Sequence, residues 1–158
     1  MQEENETEVA SLSDLLKPEN VRIIDSVRDW KDAVRISLKP LADGGYVEPR
    51  YAENVIKDTI ELGPYYVLTD DVALIHARPE EGAIKKQRAV TFVHQPVVFN
   101  ETSFPVRILF ALAAEDSTSH IEVIKMLANF CMDESRVAAV TECTEPSDIY
   151  QILINSAE

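Results

Sequence analysis

The spacing of apolar positions changes along the chain, and each change marks a predicted element. A short apolar run at 21–24, bounded by Asn20 and Asp25, predicts a first strand. Beyond it the period lengthens. Val27, Trp30, Ala33, Val34 and Leu41 recur at helical intervals, with Ser26 as the expected N-cap. Pro40 is expected to kink or shorten the last turn, and Gly44-Gly45 to end it. A second helix opens at Glu48-Pro49, where proline is tolerated because first-turn N–H groups have no helical partner. Its expected buried stripe is Tyr51, Val55, Ile56, Thr59 and Ile60, and Gly63-Pro64 stops it. Residues 65–69 and 72–77 are β-rich runs split by the turn pair Asp70-Asp71. Further strands are predicted at 90–93 and 106–111, the second apolar enough for the middle of a sheet. The final third reads as helices near 119–132, 135–140 and 147–155, with Pro146 at the last start.

Helices at both ends around four or five strands imply an α/β fold: a mixed sheet of about five strands flanked by helices on both faces. The chain has 158 residues, of which 46% are hydrophobic, which suits one globular domain. That domain is expected over residues 11–158, after a solvated acidic tail at 1–10 carrying Glu3, Glu4, Glu6 and Glu8. No run approaches the ~20 apolar residues of a membrane helix, and the acidic N-terminus is unlike a signal peptide. The formal net charge of −13 disfavours nucleic acid and anionic membrane surfaces as partners. Cys131 and Cys143 lack metal-site spacing and read as packing residues in a reducing cytoplasmic compartment.

Candidate chemistry centres on the three histidines. His94, at the end of a strand, reads as an ordinary exposed residue. His76 closes an apolar strand in ALIHARPEEG, where strand ends meet loops and ligands bind in α/β sheets. Arg78 offers a permanently charged fork suited to phosphate oxygens, and Lys85, Lys86 and Arg88 follow. Spacing alone leaves two readings of His76 open: a reactive imidazole, or a partly buried histidine beside a solvated loop. His120 follows the cap-rich run EDSTS in the expected first turn of a helix, where the dipole favours an anion. Glycine-rich nucleotide loops, HExxH zinc spacing and a GxSxG elbow are absent, so no metal and no nucleotide cofactor is expected.

The segments VEPRYAENVI, GPYYVL, ALIHARPEEG and LAAEDSTSHIEVI resemble the enzyme IIA components of the bacterial sugar phosphotransferase system, mannitol/fructose superfamily. VEPRY and HARPEEG look most like the L-ascorbate-specific IIA component, and the similarity spans about residues 12 to 156. The resemblance implies a cytoplasmic phosphotransferase with a phosphohistidine intermediate and no cofactor. His76 would take a phosphoryl group from the histidine phosphocarrier protein and pass it to a cysteine of a IIB component. That transfer energises uptake of L-ascorbate or a related sugar through the membrane IIC component, which a IIA component serves only indirectly. His120 matches the family's second active-site histidine and Glu61 its helix acid. Three positions depart from the family pattern: Ile75 stands where proline usually precedes the histidine, Asp71 replaces a turn glycine, and Ile60 replaces an arginine. Arg78 is the candidate to supply that positive charge. Two further readings stand beside transfer: a regulatory module of the same fold whose phosphorylation state controls a partner, and an unrelated small-ligand binding protein with an acidic surface.

Overall fold

The computed structural model describes residues 16–69, 71–100, 103–113, 125, 129–130 and 132–156. The acidic tail, His120 and Cys131 therefore lie outside the described residues. In chain order the elements are β1 (Leu16–Ile24), α1 (Trp30–Asp43), α2 (Arg50–Leu62), β2 (Val67–Thr69) and β3 (Asp71–Ile75). A 3₁₀ turn (Pro79–Glu81), β4 (Gln87–Val97), β5 (Val106–Ala113), α3 (Glu134–Thr141) and α4 (Pro146–Ser156) follow. Of the helix expected at 119–132, residues 125, 129, 130 and 132 are described, and they are helical. No helix among the described residues is long and apolar enough to cross a membrane.

The strands form one sheet in the order β1-β4-β5-β3-β2. β1 runs parallel to β4, β4 antiparallel to β5, β5 parallel to β3, and β3 antiparallel to β2. Strand alternation gives the sheet two apolar faces. Ala73, Ile75, Ala89, Val93, Leu109, Ala111 and Ala113 face α1 and α2, meeting Val34, Leu38, Tyr51 and Val55. Val72, Leu74, Val90, Phe92, Ile108, Phe110 and Leu112 face the C-terminal helices, meeting Phe130, Val140, Ile149 and Leu153. Alanines dominate the first face. A shallow surface there lets two helices pack close, while phenylalanines fill the second. β5, buried along its length in the middle of the order, is the central strand expected from its composition.

Local chemistry explains where the elements depart from the sequence reading. α1 begins at Trp30 with Asp29, not Ser26, as its N-cap: the Asp29 carboxylate accepts from the Asp32 N–H at 2.9 Å. Asp32 answers by accepting from the Arg28 N–H at 3.0 Å, a reciprocal arrangement that satisfies two otherwise orphaned donors. Pro40 does not shorten the helix, which continues to Asp43. The carbonyl left without its i+4 donor is that of Ile36, and the Arg22 guanidinium donates to it instead. Ile60 leaves the expected stripe. It lies nine residues, about two and a half turns, beyond Tyr51, hence on the opposite side of α2, and is 65% exposed.

This face assignment predicts a contrast. Ile56→Ala should lower unfolding free energy by about 2–5 kcal/mol, whereas Ile60→Ala should stay within about 0.5 kcal/mol of wild type, as read by urea denaturation. Equal losses would mean that Ile60 is packed.

Candidate active site

Parallel pairing of β3 with β5 and antiparallel pairing of β5 with β4 bring two strand C-termini and one N-terminus to the same edge of the sheet. There Ile75 stands opposite Ala111 and Gln87 opposite Ala113. His76 is the first residue beyond β3 at this edge. Its ring is half-buried, with Nδ1 2.7 Å from the Leu74 carbonyl. A carbonyl oxygen only accepts, so Nδ1 carries the hydrogen and the neutral ring has its lone pair on Nε2. Burial holds the imidazole below its ordinary 6.5, outweighing the Leu74 carbonyl, which favours the charged form. At neutral pH His76 is thus a neutral ring with a defined tautomer. Tyr65 packs edge-on against it, ring centres 5.4 Å apart at 88°.

The backbone that follows is held by side chains. The Tyr65 hydroxyl donates to the His76 carbonyl at 2.7 Å. The Ala77 N–H donates to the Tyr51 hydroxyl at 2.9 Å. Tyr51 Oη also lies 3.1 Å from both the Ala77 and the Leu112 carbonyls and can donate to one at a time. Tyr51 is fully buried, which pushes its phenol up to about 12 and keeps it a donor. Also from α2, Asn54 donates to the Glu81 carbonyl at 2.8 Å, and Arg50 donates to that of Glu80 at 3.1 Å. The loop can sit this close because Gly82, with φ +137°, has no side chain: a Cβ there would come 3.2 Å from that of Tyr51.

The charged groups of the loop are paired with one another. Arg78 is exposed, with Nε 3.8 Å from Glu80 and 3.7 Å from Glu81, so both acids turn toward it. Burial first, then a hydrogen bond and the charge of Asp58 on α2, raise the Glu81 carboxyl above its usual range. Lys85 is exposed just before β4 on the same edge, whereas Arg88 is buried within the strand. The basic run read from the sequence is therefore divided between surface and core.

Other candidates fall elsewhere. His94 sits toward the far end of β4, at the opposite edge of the sheet, 3.7 Å from the Asp25 carboxylate. Glu61 is exposed on the last turn of α2, and the acid from this helix that reaches the loop is Asp58. His120 lies outside the described residues, seven positions after β5 ends. Asp71 adopts φ +73°, the left-handed conformation a glycine takes readily. Arg107 holds it there through two bonds of 3.0 Å, and its own N–H reaches the Pro105 carbonyl at 3.0 Å. Ile75 is fully buried and keeps its β register. Sequence reasoning missed the Tyr51 and Tyr65 hydroxyls, Asn54 and Asp58. A tyrosine in an otherwise aliphatic stripe was the available signal for the first. Among the described residues no group of three or more His, Cys, Asp or Glu could hold a metal ion.

The chain as a whole is similar to known proteins. Residues 14–156 match the family described as phosphoenolpyruvate-dependent sugar phosphotransferase system, EIIA 2. The chain is 33% identical over 141 residues to the ascorbate-specific phosphotransferase system EIIA component of Shigella boydii, covering 88% of this chain and 92% of that one. The solution structure of the mannitol-specific cryptic phosphotransferase enzyme IIA of Escherichia coli superposes with a TM-score of 0.84 at 32% identity, covering 91% and 98% of the two chains. The mannitol IIA enzyme of Escherichia coli, solved in complex with phosphorylated mannitol IIB, gives a TM-score of 0.73 at 27% identity over 89% and 99%. With the family matched over nearly the whole chain, this protein belongs to the EIIA 2 family of the phosphoenolpyruvate-dependent sugar phosphotransferase system.

Proposed function

We propose that the chain accepts a phosphoryl group on His76 from a histidine phosphocarrier protein and passes it to a cysteine of a IIB component. The pathway would be uptake of L-ascorbate or a related sugar through a membrane IIC component. The observation that carries the reading is the bond between His76 Nδ1 and the Leu74 carbonyl, which leaves the lone pair on Nε2. In the first step Nε2 attacks phosphorus, a new N–P bond forms, and the N–P bond of the carrier breaks with its electron pair returning to the carrier's imidazole. The His76 ring gains positive charge as this happens, and the Leu74 carbonyl stabilises the Nδ1–H. In the second step a IIB thiolate attacks phosphorus and the Nε2–P bond breaks, restoring neutral His76. Arg78, freed from Glu80 and Glu81, would balance charge on the equatorial oxygens, with His120 assisting. Glu61 takes an outer electrostatic part in this scheme, being exposed at the end of α2. The relatives named for ascorbate and IIB support the substrate branch and the onward partner. A cytoplasmic location follows from the partners proposed.

Incubation with phosphoenolpyruvate, enzyme I and the phosphocarrier should label the wild type with an acid-labile, base-stable phosphoryl group. His76→Ala should abolish the label and His94→Ala should not. Labelling that persists without His76 removes the assignment. Onward transfer to IIB separates transport from a regulatory role, since a regulator would be labelled yet pass nothing on.

The proposed role of His120 is to stabilise the phosphoryl group in flight. His120→Ala should therefore keep His76 labelling while slowing single-turnover transfer to IIB about 100-fold. A wild-type onward rate would return His120 to the protein surface.

Because burial lowers the folded-state pKa of His76, the neutral nucleophile persists as pH falls to 6.5 and is lost only below that value. The unfolded chain binds this proton more readily, so stability is lost as pH falls below 6.5. NMR titration of the His76 ring should give a midpoint below 6.5; one at or above it contradicts the burial argument.

A further inference from the structure

The His76 carbonyl and the Ala77 N–H are the two ends of a single planar peptide unit. One end accepts from Tyr65 and the other donates to Tyr51, at 2.7 and 2.9 Å. The two tyrosines come from different segments: Tyr51 from the first turn of α2, Tyr65 from the stretch between α2 and β2. We propose that Tyr51 and Tyr65 are positioning residues for phosphoryl transfer, locking the His76–Ala77 peptide from both sides so that the Arg78 loop holds one geometry about Nε2 before a partner arrives. The inference rests on His76 being the phosphoryl acceptor, as proposed above.

The geometry supports a positioning role in three ways. Rotation of this peptide changes ψ of His76 and φ of Ala77, which swings the loop carrying Arg78 relative to the imidazole. Gripping both ends stops that rotation, whereas one bond would leave the peptide free to pivot. The side chain is tied separately, through Nδ1 to Leu74 and by the edge-on Tyr65 ring, so backbone and ring are constrained independently. Finally, Tyr51 also lies 3.1 Å from the Leu112 carbonyl, which ties the reactive loop to the end of the central strand. In-line transfer between two protein side chains depends steeply on such alignment, and a displacement near 1 Å can cost about 100-fold.

Tyr65 is 41% exposed, so Tyr65→Phe should fold normally. Tyr51→Phe leaves a buried N–H without its partner and is checked first for a cooperative melt. Single-turnover labelling is measured against phosphocarrier concentration for wild type, each variant and the double variant. We expect the maximal rate to fall about 10- to 100-fold in each single variant with an unchanged half-saturating concentration. The double variant should lose less than the product of the two, since freeing either end already frees the peptide. The His76 titration midpoint should also rise toward 6.5 as the loosened loop uncovers the ring to solvent. Wild-type maximal rates and midpoints in the folded variants overturn the proposal, and so does a change confined to half-saturation, which would make the hydroxyls partner contacts. If Tyr51→Phe does not fold, Tyr65→Phe alone decides by the same two outcomes. Labelling that survives His76→Ala would instead remove the reading on which this proposal rests.

Discussion

The hydroxyl of Tyr51 solves a problem created wherever strands and a helix end together. β3 stops at Ile75 while β5 runs on to Ala113, so the Ala77 backbone and the Leu112 carbonyl lie just past the last β3–β5 pair, Ile75 with Ala111. Each such group left without a partner would cost about 1–3 kcal/mol. One phenol accepts from Ala77 and lies within reach of the carbonyls of both Ala77 and Leu112. The seat of α2 over the alanine-lined face, the need for glycine at position 82, and the course of the loop past Arg78 follow from where that hydroxyl must sit.

A second constraint is charge. A chain with a net charge of −13 is an unpromising place for a phosphoryl dianion. At the His76 edge the balance is local. Arg78 and Lys85 stand at the surface, and burial together with Asp58 raises the Glu81 carboxyl above its usual range. Glu80 and Glu81 hold Arg78 while no stronger anion competes. The Arg78–Glu80 pair is exposed on both sides and breaks at little cost, whereas the Glu81 side chain is largely buried.

Several features legible in the sequence survive into the fold with their physical reason intact. Alternating apolar residues in the strands give two buried faces, and the apolar run from Val106 marks the central strand. The α2 boundaries follow from Pro49 and Gly63. The errors are equally instructive. Pro40 reads as a helix breaker because its missing N–H orphans the Ile36 carbonyl, yet Arg22, fourteen residues earlier, fills the gap. Asp71 reads as a departure from the family's turn glycine, and Arg107, thirty-six residues later, holds it in the left-handed region.

The sequence by itself determined the α/β class, the main elements, the family and His76 as the histidine to examine, because periodicity and short motifs are local properties. Only the tertiary structure decided which nitrogen of that ring holds the lone pair, which acid of α2 reaches the loop, and that two tyrosine hydroxyls meet on one peptide. Those outcomes depend on contacts between residues as far apart as Tyr51 and Leu112. A repeating pattern shows that Tyr51 faces inward. What its hydroxyl meets there is set by how the sheet and helix pack.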